Sequence, residues 1–373
     1  MNENNKNLSN WLSPIWINGT IFEEPVCFYA DAEKNIKGGK LLYAPDSITS
    51  IMNYDASIVY EEDRDYKITE TGICLLKSSR IPILHRNQYI ASFTGEPDNA
   101  WLCLPGKEQL IQLFPEIYKY QVLVTYESHH DLWNGCIPEK QGTKLKNTYN
   151  ILKNGKSLHL VFYGDSITAG WEASGANERA VDMNSLEPDR VHFDRYPHMP
   201  VWPQLVTDQL RTKYPTATIT KDNLSAGGST AKWGLQHVNE LFDRVSVPDL
   251  VFIGFGMNCM WDKPDVFLNY ISGIRNELRK RNPDCEFVLY PAMVANPEMA
   301  VYQQDNMHAY EIALKEYAAH MPGTVTAPVH SMFRELQNRG KEYYEISGNA
   351  VNHPNDFSIR LYAQTIWETI SQC

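Results

Sequence analysis

The sequence predicts an α/β protein in two parts, a β-rich segment over residues 1–150 and a parallel sheet covered by helices over 151–373. Three observations predict it. Up to about residue 150, short runs of β-branched and aromatic residues are separated by turn residues, with little helical periodicity. Beyond it, continuous apolar runs alternate with amphipathic stretches of helical spacing. The chain has 373 residues, 43% of them apolar and 12% aromatic, enough for a sizeable core in both parts.

In chain order, the first part offers strands at 25–30 (PVCFYA), 57–62 (SIVYEE), 65–70 (DYKITE), 72–77 (GICLLK) and 120–127 (YQVLVTYE). Closely spaced strands with Gly, Asp, Asn and Pro between them predict an antiparallel sandwich. One short helix is expected within 105–120 (PGKEQLIQLFPEIYKY), and the polar stretch 138–156 reads as the junction. The second part predicts strands at 157–164, 217–223, 249–255, 285–293 and 323–329. Helices are expected at 203–213, 235–244, 264–281, 305–319, 330–339 and 356–371. In such a sheet, ligands bind at the carboxyl ends of the strands.

Composition narrows the function. The chain has 34 Lys and Arg against 45 Asp and Glu, a net charge of −11, which argues against a nucleic-acid backbone as partner. A neutral or cationic small substrate fits better. Apolar runs are too short to span a membrane, and the polar start MNENNKNLSNW does not read as a secretory leader, so a soluble, cytoplasmic protein with no membrane partner is expected. The seven cysteines (27, 74, 103, 136, 259, 285 and 373) are scattered without a C-x-x-C pair, which predicts free thiols and no metal site.

The chemistry gathers at strand ends. The 157–164 strand runs into Gly164-Asp165-Ser166-Ile167-Thr168-Ala169-Gly170, where Ser166 has its hydroxyl at the ligand face and a free backbone N–H. Taken alone, a helix cap and a nucleophile explain this serine equally well. The second strand ends in Asn223 followed by Gly227-Gly228-Ser229-Thr230, and the third in Gly254-Phe255-Gly256-Met257-Asn258. Asn352-His353-Pro354 precedes the last helix. A hydroxyl, a base and several N–H donors converging from separate loops are what acyl transfer needs.

These four blocks, in this order across roughly 158–373, resemble those of the SGNH (GDSL-type) serine hydrolases. The resemblance implies a three-layer α/β/α, flavodoxin-like catalytic domain over 151–373, and two-domain carbohydrate esterases of that superfamily suggest a jelly-roll-like sandwich over 1–150. It implies that Ser166 is the nucleophile and that the backbone N–H groups of Ser166 and Gly228 and the Asn258 amide form the oxyanion hole. His353 would be the general base. Neither metal nor organic cofactor is implied. The substrate would be a small-molecule or oligosaccharide ester, most of all an acetyl ester of a carbohydrate, and a homo-oligomer is left open. A carbohydrate-binding module with weakened catalysis, and a thioesterase or lysophospholipase, are the alternatives.

Two positions depart from the family pattern. Cys259 stands where G-x-N is usually followed by Asp, and Ala350 stands three residues before His353, where the orienting Asp is usual. A backbone carbonyl of the 347–352 loop, giving a Ser-His dyad, is the preferred replacement. Asp356 and Glu345 are the other candidates, with Asp356 better explained as a helix cap.

Weaker signals remain. His129-His130-Asp131 reads as a surface or interdomain turn rather than a metal site, because neighbours in a strand point to opposite faces. Cys259 reads as a buried filler and Asp165 as a structural hydrogen-bonding group. The aromatic and Pro-rich segment 195–203 (RYPHMPVWP), together with Trp233 and Trp261, offers walls for a substrate pocket, although core packing explains a lone Trp equally well.

Overall fold

In the computed structural model, residues 8–95, 100–106, 108–175, 199–302 and 304–372 are described. Nine strands come before residue 130: β1 (Gly19–Ala30), β2 (Ile36–Lys37), β3 (Ser47–Asn53), β4 (Tyr66–Thr69), β5 (Gly72–Leu75), β6 (Ile83–His85), β7 (Ile90–Ser92), β8 (Gln109–Ile111) and β9 (Gln121–Ser128). The main sheet has the order β2-β1-β9-β3, with β6 pairing in parallel along β1, while β4–β5 and β7–β8 are separate antiparallel pairs. The β1–β9 register runs from Gly19 opposite Ser128 to Cys27 opposite Gln121.

Three expectations for this part are corrected. Residues 57–62 form no strand, only isolated bridges of Val59 to Met52 and of Glu62 to Tyr66, and Ile58 and Val59 are exposed, so these two gain no burial from pairing. The helix expected within 105–120 is strand β8 followed by a 3₁₀ segment, Pro115–Tyr120, which Pro115 opens. The polar junction holds an α-helix, Lys146–Lys153, whose Tyr149 and Leu152 are buried together with Leu145 just before it. That i, i+4, i+7 spacing is a helical face short enough to be hidden among lysines and asparagines.

The second part is a five-stranded parallel sheet made of β10 (Ser157–Gly164), β11 (Thr218–Asn223), β12 (Leu250–Gly254), β13 (Glu286–Tyr290) and β14 (Thr324–Thr326). Its order is β11-β10-β12-β13-β14. Strands β12 and β13 are buried at every residue and β10 at all but its first, as continuous apolar runs under helices on both faces require. The helices are Trp202–Lys213, Ala231–Phe242, Pro264–Arg281, Gln304–His320, Val329–Asn338 and Asp356–Ile370. The second begins four residues earlier than expected because the Thr230 side chain accepts the Trp233 N–H and caps it. Strand β10 is flanked by the second and third strands in sequence, so the chain leaves it at the sheet's topological switch point.

One hydrophobic core runs through both parts, from Val26 and Val124 to Leu160, Phe252 and Val288. The helix Asp356–Ile370 lies between them and is buried on nearly every side. Its polar residues serve the junction: Arg360 donates to the carbonyls of Phe22 and Glu23 in the β1 bulge, and Gln364 donates to Trp11 O and accepts from Ile15 N. Beside it, fully buried Lys341 contacts Glu24 at 2.8 Å and Glu345 at 3.2 Å. No helix among the described residues is long and apolar enough to cross a membrane.

Candidate active site

The loop after β10 is built around one turn of helix, Ser166–Ala169, with the Asp165 side chain capping its start by accepting the Ile167 N–H. The first turn of a helix leaves its N–H groups unpaired, so Ser166 offers one at the carboxyl edge of the sheet. Gly170 ends the turn in the left-handed region at φ 88°, and the Trp171 N–H returns to the Ser166 carbonyl at 3.0 Å. The chain thereby doubles back and carries Trp171 and Glu172 alongside Ser166. Neighbouring loops lock this turn. Thr168 Oγ1 donates to Gly254 O, the Asn223 amide donates to Thr168 O, and Ser229 Oγ donates to Gly164 O.

Asp165 is wholly buried, and its pKa is pushed up to about 6, chiefly by burial, against backbone N–H groups and the nearby His353 charge. One of its oxygens, Oδ2, has no hydrogen-bond partner among the described residues.

His353 sits on a loop that the second half does not hold by itself. Ser347 bridges Pro354, and Gly348 N–H donates to His353 O at 2.8 Å. The Asn349 side-chain oxygen accepts the N–H groups of Val351, Asn352 and His353 at 3.0, 3.0 and 3.1 Å. Ala350 has φ 64°, a conformation uncommon away from glycine, and Asn296 holds its carbonyl at 2.7 Å. Tyr343 and Tyr302 of the second half add bonds to Val351 O and to the Asn352 amide, and further supports come from the β-rich part. Gln121 donates to the carbonyls of Tyr344 and Ser347 and accepts from Asn355, and Phe114 N–H donates to Asn349 O.

The two loops bring Ser166 Oγ to 2.8 Å from His353 Nε2, with both residues buried. Gly228, at φ 70°, has open space where a side chain would stand, and Asn258 Nδ2 spends one hydrogen on Ser229 O at 3.1 Å, leaving its second. At the other imidazole nitrogen, Nδ1, stand Asn349 Nδ2 at 3.0 Å and Glu172 Oε1 at 3.5 Å.

Sequence reasoning missed Glu172 and Trp171. The signal available was the Gly170 that follows a one-turn helix, which turns the next two residues back toward the serine. The Trp171 ring meets the His353 ring edge-on at 5.5 Å and lies where a Gly227 side chain would be.

The other candidates lie elsewhere. No backbone carbonyl is among the Nδ1 contacts described, which differs from the preferred dyad. Asp356 accepts the Ser174 N–H at 2.9 Å in the first turn of its helix, while Asn355 is the N-cap. Glu345 is buried against Lys341 and accepts the N–H groups of Cys27 and Glu342, which commits its carboxylate to the junction; burial raises its pKa to about 7. Cys259 is buried, its pKa pushed up to about 12 by burial, and its sulfur accepts the Ala231 N–H at the start of a helix.

Of the 195–203 segment, residues 195–198 lie outside the described residues, as does Cys373. Trp202 is fully buried and donates to Ile167 O, so it supports the serine turn from within the core. Trp233 stacks on His237, and Trp261 is 69% exposed. His129 and His130 are exposed, and Asp131 approaches Arg339 across the junction at 3.6 Å. Among the described residues no three His, Cys, Asp or Glu side chains are grouped to hold a metal ion.

The profile of the GDSL-like Lipase/Acylhydrolase family matches residues 162–357, just over half of the 373. The chain belongs to that family. Its matched region holds Ser166, Gly228, Asn258 and His353. Among solved structures, this family member is similar to a two-domain esterase active on acetylated mannans, with TM-score 0.42 and 21% identity over 62% of this chain and 54% of that one. It thus spans about half of that esterase's length. It is also similar to an acetylxylan esterase from Geobacillus stearothermophilus, with TM-score 0.44, 19% identity and 58% and 94% coverage. A lipolytic protein of the G-D-S-L family from Veillonella parvula gives TM-score 0.41, 14% identity and 56% and 95% coverage. No curated protein matches in sequence.

Proposed function

We propose that this chain is a serine esterase that removes short acyl groups, acetyl first among them, from a carbohydrate through an acyl-serine intermediate. The observation that carries the reading is the 2.8 Å contact of Ser166 Oγ with His353 Nε2 at the switch point of a parallel sheet.

Ser166 Oγ attacks the ester carbonyl carbon while its proton passes to His353 Nε2. The carbonyl oxygen becomes an oxyanion, held by the N–H groups of Ser166 and Gly228 and by the second amide hydrogen of Asn258. Collapse breaks the bond to the alcohol, which leaves with the proton from His353. Water then gives a proton to His353 and attacks the acyl-serine, and its breakdown returns that proton to Ser166 Oγ and frees the acid. The Trp171 ring beside the imidazole provides an aromatic surface of the kind sugar rings pack on.

The reading is tested by hydrolysis of p-nitrophenyl acetate. Ser166→Ala is expected to lower kcat by about 10⁴-fold or more, and equal activity of the two proteins would sink the reading. Acetylated oligosaccharides, acyl-CoA and lysophospholipids offered side by side select the natural ester.

A second reading, a carbohydrate-binding module with weakened catalysis, gains from one observation: the group nearest Nδ1 of His353 is the amide nitrogen of Asn349. Sugar binding without labelling of Ser166 by a serine-directed phosphonate would favour it.

A further inference from the structure

We propose that Glu172 is the acid that positions His353, completing a Ser166-His353-Glu172 triad whose third member comes from the serine's own loop. The inference rests on the esterase reading and deepens it.

A neutral imidazole carries one proton, and His353 accepts the serine proton at Nε2 only if its own proton is on Nδ1. That proton needs an acceptor. Asn349 is nearest, at 3.0 Å, but it presents its nitrogen, and an amide nitrogen only donates. The amide is not free to turn over. Its oxygen accepts three backbone N–H groups, and its nitrogen also donates to Asn352 Oδ1 at 3.2 Å. Asn349 therefore favours the tautomer with the proton on Nε2, which cannot act as base toward Ser166.

Glu172 Oε1, at 3.5 Å, is the acceptor within reach. A closure of about 0.5 Å brings it into ordinary N–H···O range, as such contacts tighten when substrate is bound. Its negative charge also favours the imidazolium formed in each step, which the Asn349 dipole opposes.

Independent features of the fold hold Glu172 in place. Its backbone is at φ 67°, a left-handed conformation uncommon at a non-glycine residue and retained where surroundings impose it. Gly348, on the histidine loop, leaves room for it: a Cβ there would lie 2.6 Å from Glu172 Cβ. Two residues on, Ser174 N–H is held by Asp356, the first residue of the helix that follows His353. The charge that the family pattern places three residues before the histidine is thus supplied by the loop that carries Ser166.

The test is kinetics of p-nitrophenyl acetate hydrolysis by the full chain. Glu172→Gln is expected to lower kcat by about 10²–10⁴-fold, as in triads left with the wrong tautomer, and to move the acid limb of the kcat/KM profile to lower pH. Glu172→Asp should recover part of the loss. In the Glu172→Gln background, Asn349→Asp keeps one oxygen on the three N–H groups and puts the other at Nδ1, and activity should rise at least tenfold. Glu172→Gln within about threefold of wild type, with an unmoved acid limb, overturns the proposal. A large loss with neither a shifted limb nor rescue also overturns it, leaving Glu172 a structural role. Ser166→Ala separates the two readings: if it retains activity the esterase reading itself has failed, and if it alone is inactive only the triad has.

Discussion

The serine and the histidine arrive at one 2.8 Å contact with different kinds of support. Ser166 is held within its own half: apart from the His353 contact, the hydrogen bonds described around its turn come from the ends of β10, β11 and β12, from Tyr290 and Trp202, or from the turn itself. His353 is held by its own loop and Asn296, and in addition from a distance, by Gln121 and Phe114 of the β-rich part. Charge is handled differently too. Beside the serine, Asp165 is buried with no cation in hydrogen-bond contact among the described residues, whereas behind the histidine Glu24 and Glu345 share buried Lys341. The β-rich part therefore braces the histidine loop, while the serine turn is held within the α/β part.

The strongest way to break this contrast is Lys341→Met. It leaves two buried carboxylates without their cation and should cost about 3–5 kcal/mol, measured by denaturant unfolding. A loss under 1 kcal/mol would show that the junction does not depend on the ion pair.

Next comes Asp165→Asn, which tests the serine side. A carboxyl whose folded pKa is raised to about 6 contributes stability that is full below its unfolded value near 4 and is lost as pH rises through 6. Asparagine keeps the acceptor for Ile167 and has no charge to bury. The variant should therefore gain stability relative to wild type between pH 4 and 7, by up to about 3 kcal/mol. Urea midpoints whose difference is flat across that range would contradict the assignment.

The smallest effects are a matched pair. Gln121→Leu strands the carbonyls of Tyr344 and Ser347 and should cost about 1–3 kcal/mol while also slowing phosphonate labelling of Ser166, because the base is displaced. Asn223→Ala, on the serine side, should cost about 1 kcal/mol and leave the histidine loop in place. Amide hydrogen exchange of residues 349–353 discriminates the two. Faster exchange in both variants, or in neither, would remove the distinction between the loops.

The same contrast explains what could be read from the chain. SLHLVFYG and DLVFIGF announce buried parallel strands because nearly every residue is apolar when both faces are covered. GDSITAG and the blocks after it are legible because the residues of each block lie within a short segment, although the bonds between blocks, such as Thr168 to Gly254 and Asn223 to Thr168, are long-range. The histidine's surroundings were not legible in this way. Gln121 acts on a loop more than 200 residues away, and no local pattern distinguishes it from any other residue of a strand. Glu172 escaped notice because its importance depends on a left-handed backbone and on a missing side chain at 348. The helix Lys146–Lys153 was hidden by its own polarity, with two apolar residues in eight facing inward beside Leu145.

The helix that follows His353 has a further consequence for how the chain reaches its native state. Its Gln364 binds Trp11 and Ile15, and its Arg360 binds Phe22 and Glu23, contacts that close loops of more than 330 residues. Such closures form late and slowly, since chain entropy must be given up before the contacts return anything. Refolding should therefore show the α/β sheet protecting its amides first, with residues 349–353 gaining protection only in the slower phase, when the β-rich part docks and His353 is finally held against Ser166.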